Sequence, residues 1–191
     1  PLPPAWRAAH ALANAGLALR RLQTGPARGF LETARKAAHA ARNPALVAEV
    51  DAAVASLEAP AARIIAGGSQ TTARLAEVES LLASDTLVVD ACRHVVRRGS
   101  DVIALASRPV LFALARALGE AWPGDATRQT LLARAFGARF SDESHRARLR
   151  VEIGRLRAAL RPLAGIQATT GGFAMIPANG RSLAVLAPPI D

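Results

Sequence analysis

The sequence predicts an α+β fold, with an all-α helical region over residues 1–83 and a mixed strand-and-helix domain over residues 84–191. Three observations predict it. Apolar and alanine residues recur at a helical period through the first region. From Thr86 that period gives way to short apolar or alternating runs of strand length. Further on, one arginine-rich helix carries a clean leucine and isoleucine stripe. With 51% apolar residues among 191, the chain has the means to pack a core rather than remain disordered.

The helices come first. Ala5 to Gln23 places Trp6, Ala9, Leu12, Ala13, Leu17 and Leu22 near one helical face, and Thr24-Gly25-Pro26 is a stop signal. A second helix runs through Phe30, Leu31, Ala34 and Ala38 to about Arg42. Asn43-Pro44 supplies an N-cap and a first-turn proline for a third helix carrying Leu46, Val47, Val50, Val54 and Leu57. A break is expected around Pro60 and a loop at Gly67-Gly68. Ser69 or Thr71 then caps a fourth helix holding Leu75, Val78, Leu81 and Leu82. Alanine contacts of this kind suit a dimerising or partner-binding layer, and equally a helical support for the next domain.

In the second region, residues 86–90, 93–97 and 101–105 read as a three-stranded meander turned at Gly99-Ser100. Ser107-Arg108-Pro109 starts a helix with Val110, Leu111, Leu114, Ala115 and Leu118 on one side, and Pro123-Gly124-Asp125 stops it. Thr127 caps the next helix, Arg128 to Phe136, whose Leu131, Leu132 and Phe136 face inward and whose C-terminal glycine is Gly137. The arginine-rich stretch Ser141 to Arg161 follows. Ile166 to Thr170, Gly171-Gly172 and Phe173 to Ile176 carry a hairpin signal, and residues 183–186 are a last strand candidate.

Charge narrows the partners. The net charge is +9, which favours polyanions. Only Lys36 among the 24 basic residues is a lysine, and a GC-rich genome also produces that bias, so the clustering of the arginines matters more than their number. On the basic helix, Leu149, Ile153, Leu156 and Leu160 form the buried stripe. At ~100° per residue the opposite ridge carries Ala147, Val151 and Gly154. Arg148 and Arg155 border it on one side and Arg150 on the other, with Arg157 and Arg161 nearer the core edge. Small ridge residues allow close approach to a major groove and contact with a thymine methyl, while arginines reach guanine edges or phosphates. A glycine inside a helix costs ~1 kcal/mol relative to alanine, so Gly154 is not there for helix stability. The competing reading is a solvated charged helix.

The order of elements and the local sequence resemble the OmpR/PhoB-type winged-helix DNA-binding domain over about residues 85–177. Residues 128–132 followed by Phe136-Gly137 are similar to that family's second helix, and residues 151–157 ending in Leu160 to its recognition helix. Residues 166–169 and 171–173 resemble its wing hairpin. The resemblance implies a sequence-specific transcriptional regulator that reads double-stranded DNA with residues of about 144–161 and dimerises on it. It implies base or phosphate contacts from Arg146, Arg148, Arg150 and Arg155, and backbone or minor-groove contact from Thr170 and Gly171 at the wing. Val151, on the open ridge, and Arg157, nearer the core edge and suited to a phosphate or an intramolecular contact, complete the expected DNA-binding set. The sequence departs from the family at two places: the wing tip Thr170-Gly171-Gly172 has no basic residue, and Gly154 stands where a basic residue is common. The first region resembles tetratricopeptide hairpins, without a second copy at the expected period, and offers a surface for a protein partner.

Other classes have less behind them. The four histidines, His10, His39, His94 and His145, are scattered, without metal-ligand spacing, and the glycine pairs lack a phosphate-loop lysine. No enzyme activity, cofactor or metal is expected. Cys92, the one cysteine, is expected to be half-buried between strands and cannot form an internal disulfide. A reducing cytoplasm is the expected context of a chain with one cysteine. With no apolar run that reaches the ~18 residues of a membrane span and no signal peptide visible, no membrane partner is expected. The alternative to DNA binding is a winged-helix module that binds protein only.

Overall fold

A computed structural model describes residues 2–137 and 143–189. The chain is α+β and divides into two compact units. One comprises Pro1–Ala61 with Ala73–Ser80, the other Ala62–Thr72 with Leu81–Asp191.

In the first unit, α1 (Pro4–Arg20), α2 (Thr24–Ala40) and α3 (Pro44–Glu58) pack through small side chains. The buried face of α1 is Ala8, Ala11, Ala15 and Ala18, set against Ala27, Leu31, Ala34, Ala37 and Ala38 of α2. This corrects the expected face of α1: Trp6 is 69% exposed and Leu17 45%. Phe30 of α2 is also exposed. Alanine occurs on nearly every side of α1, so periodicity could not select its inner face. Close backbone approach, which only the small residues permit, decided it. Asn43 caps α3 as expected, its Oδ1 accepting from the N–H groups of Ala45 at 3.0 Å and Leu46 at 3.4 Å.

The start of α2 is capped from a distance. Its preceding residue, Gln23, makes no side-chain cap. Glu79, on α4 (Leu75–Ala83), fills that role instead. Its Oε2 accepts the Thr24 N–H at 2.9 Å and the Thr24 hydroxyl. The Thr24 hydroxyl, then the Thr24 N–H, hold the Glu79 carboxyl below its ordinary value. A depressed carboxyl contributes stability above its unfolded pKa and loses it as pH falls through the folded one. Thermal melts of Glu79→Gln and the unmodified chain are therefore expected to differ at pH 7 and to converge in acid. A difference that persists unchanged at pH 3 contradicts the cap.

The second unit begins with a hairpin where no strand was expected. Residues read as a break, a loop and a helix cap form β1 (Ala62–Ala66) and β2 (Ser69–Ala73), so residues 1–83 are not all helical. Gly67 and Gly68 have φ of +56° and +78°, the left-handed pair that a two-residue hairpin turn requires. Accordingly Ser69 and Thr71 lie in a strand and cap no helix. The expected meander is present as β3 (Leu87–Asp90), β4 (Val95–Arg98) and β5 (Asp101–Ala104). Its second strand starts two residues late, because His94 sits at φ +53° in the turn. Cys92, in that turn, is exposed rather than half-buried. Partial desolvation, then the nearby Asp90 charge, pushes its thiol pKa up.

Three helices follow: α5 (Pro109–Ala121), α6 (Arg128–Phe136) and α7 (Glu143–Leu160), with the short strand β6 (Ala126–Thr127) before α6. Thr127 caps α6, its hydroxyl accepting from the Thr130 N–H, and Gly137 closes it at φ +66°. Ser141 and Asp142, the start of the basic stretch, lie outside the described residues. The chain ends in β7 (Ala164–Ala168), β8 (Gly172–Pro177) and β9 (Leu183–Ala187). Strand β9 inserts between β1 and β3, giving the order β2-β1-β9-β3-β4-β5, while β6, β8 and β7 form a second sheet in that order. One core joins the sheets to the helices, with Val89, Leu114, Leu131, Ile153, Leu156 and Val185 among its members. Gly119 lets α5 approach the large sheet, since a β-carbon there would lie 2.8 Å from Val185. Among the described residues, no helix is long and apolar enough to cross a membrane.

Candidate nucleic-acid interface

Helix α7 buries Leu149, Ile153, Leu156 and Leu160, the four residues expected. Ala147, Val151 and Gly154 are exposed on the other side, Val151 by 53%. A β-carbon added to Gly154 would meet nothing within 4 Å. The ridge is therefore open, and Gly154 leaves the helix backbone accessible to a ligand.

The arginines along it differ in what they already hold. The Arg155 guanidinium pairs with Glu152 at 2.8 Å, and that glutamate is only 14% exposed. Arg157 Nε donates to the Ile166 carbonyl at 3.0 Å, tying α7 to β7. Arg148 lies over the Phe136 ring, its guanidinium carbon 4.4 Å from the centroid. Arg150 has a loose contact with Glu143 at 3.8 Å, with both side chains mostly in solvent, which holds little energy. Among the described residues Arg146 has no ion-pair partner. The uncommitted charge thus lies in the N-terminal half of α7.

That half opens onto a cavity of about 590 Å³ lined by Arg128, Gln129, Arg146, Arg150, Ala168 and Phe173, among others. Sequence reasoning named Arg128 only as the start of a helix. A signal was present: a cation in the first turn of α6, with no acidic residue there, opposes the helix dipole. Arg128 Nη1 donates to the Thr170 carbonyl at 2.9 Å and Nη2 to the Thr169 carbonyl at 3.2 Å, and the guanidinium lies 5.7 Å from the centre of the Phe173 ring. All these acceptors are neutral, and among the described residues Arg128 has no ion-pair partner.

Thr170 and Gly171 lie at the exposed β7–β8 turn, where they were expected. The turn is pinned to the body of its unit. The Thr169 hydroxyl donates to the Asp125 carboxylate and accepts the Gly172 N–H at 2.8 Å. A β-carbon on Gly171 would lie 3.2 Å from Asp125 Oδ2. The turn has no cation of its own and has a carboxylate beside it. Set against protein-family models, curated proteins and solved structures, the chain matches none of them.

Proposed function

We propose that the second unit is an OmpR/PhoB-type winged-helix domain that binds double-stranded DNA and serves a cytoplasmic transcriptional regulator. In this reading α6 and α7 are the helix-turn-helix, α7 enters the major groove, and the β7–β8 hairpin is the wing. One observation carries it: an open ridge of small side chains on α7, opposite a fully buried apolar stripe, beside Arg146, which has no ion-pair partner among the described residues, and Arg150, whose pair with Glu143 is long and exposed. Val151 and Ala147 face the base edges, and Arg146 and Arg150 take bases or phosphates. Arg148 and Arg155 contribute donors not used internally. Arg157 braces α7 against β7 through Nε and keeps its remaining N–H groups for a phosphate rather than a base.

Selection of bound fragments from a random duplex pool, followed by sequencing, tests the reading. A common motif is expected, and a pool that shows no enrichment contradicts sequence-specific binding. A homodimer on DNA is the expected assembly, with the N-terminal helices contributing. Sedimentation is expected to show two chains per bound duplex, and one chain at every concentration contradicts it. The second reading, a module that binds protein and not DNA, is favoured by Asp125 beside a wing without cations.

A further inference from the structure

We infer that Arg128, reaching from α6, is the cation of the β7–β8 turn, and that it grips a DNA backbone phosphate there in place of the basic residue the turn itself lacks. The inference rests on the DNA-binding reading and deepens it. The turn Thr169-Thr170-Gly171-Gly172 offers only hydroxyls and backbone. Arg128 supplies what is missing by lying against it. Two of its guanidinium nitrogens donate to the carbonyls of Thr169 and Thr170, and its guanidinium carbon lies over the Phe173 ring. A guanidinium carries five N–H donors, so others remain for a phosphate oxygen. Its backbone N–H is also bound to the turn, donating to the Gly171 carbonyl at 3.4 Å.

The alternative role, a purely structural clamp, would be served as well by a side chain with one fewer charge. It would not need Arg146 and Arg150 to line the same cavity, and among the described residues no carboxylate forms an ion pair with Arg128. Asp125 accepts from the Thr169 hydroxyl, and among the described residues it forms no ion pair with Arg128. Holding the side chain against carbonyls and a ring also fixes its rotamer in advance, which removes the entropic cost of ordering it on a ligand.

The test is titration of a labelled duplex, across a range of salt concentrations, with four proteins: the unmodified chain, Arg128→Ala, Arg128→Ala with Thr170→Arg, and Arg146→Ala with Arg150→Ala. Removing one phosphate contact is expected to weaken Arg128→Ala roughly five- to tenfold near 0.1 M salt and to flatten the log–log salt slope by about 1. Returning a cation to the turn with Thr170→Arg is expected to restore the slope, which the loss of a structural clamp would not allow. Arg128→Ala with an unchanged slope, or a slope that Thr170→Arg leaves flat, overturns the role of Arg128. If the Arg146 and Arg150 variant still loses binding in that case, the DNA reading stands without it. If the unmodified chain fails to bind duplex at all, both fall together.

Discussion

Gly172→Ala is expected to destabilise the second unit by about 3 kcal/mol, near the top of the usual range for overpacking. A β-carbon at this position would stand 1.8 Å from the Ala126 carbonyl oxygen and 2.9 Å from Thr127 Cα. Both are backbone atoms, so no side chain can rotate away. The strands must part, and the β6–β8 pairing of Ala126 with Phe173 and Thr127 with Gly172 is broken. Ala126 and Phe173, both buried, are then uncovered, and the residues that cap and start α6 move with β6. For a chain of this size the melting temperature should fall by roughly 6–12 °C. Gly154→Ala makes the contrast. It meets open space on an exposed helix face, and should stabilise α7 by up to ~1 kcal/mol. Chemical denaturation of the two variants checks both signs, and a neutral Gly172→Ala contradicts the close approach of β6 and β8.

Removing Arg146 and Arg150 together is expected to have the largest effect on binding. At 0.1 M salt, leaving two phosphates without their cations weakens affinity about 50-fold, and the salt slope flattens by about 2. If either arginine reads a guanine instead, the penalty includes ~1–3 kcal/mol of discrimination at that position, and specificity relaxes there. The two cases separate on sequence: removing a phosphate contact weakens all duplexes alike, whereas removing a base contact weakens the preferred one most. Arg155 and Arg148 should matter less, because a 2.8 Å pair with Glu152 and a ring contact with Phe136 already hold them.

What the sequence made legible follows from contrast between neighbouring residues. On α7, four large aliphatics stand among arginines, so the inner face was unambiguous and all four are buried. On α1, alanine surrounds the helix, and the large residues Trp6 and Leu17 drew the stripe to the wrong side. The β1–β2 hairpin escaped because β2, Ser69–Ala73, is polar and exposed along most of its length, with no alternation to mark a strand. Only the paired positive φ of Gly67 and Gly68 distinguishes that turn from an ordinary loop. The seat of β9 between β1 and β3 is set by pairings more than 90 residues apart, such as Val88 with Ala184, which no local pattern encodes. Arg128 was missed for the same reason. Its partners, Thr169 and Thr170, lie 41 and 42 residues further along the chain.

The most direct test of the central claim is the affinity of the unmodified chain for duplex DNA measured against salt concentration. Counterion release from several phosphate contacts predicts a straight log–log plot that falls steeply, with a slope of about −0.9 for each phosphate neutralised. Three guanidiniums at the α6–α7 cavity set a slope of about −3 or steeper. A flat plot, or no binding at low salt, contradicts the assignment of α7 to the major groove.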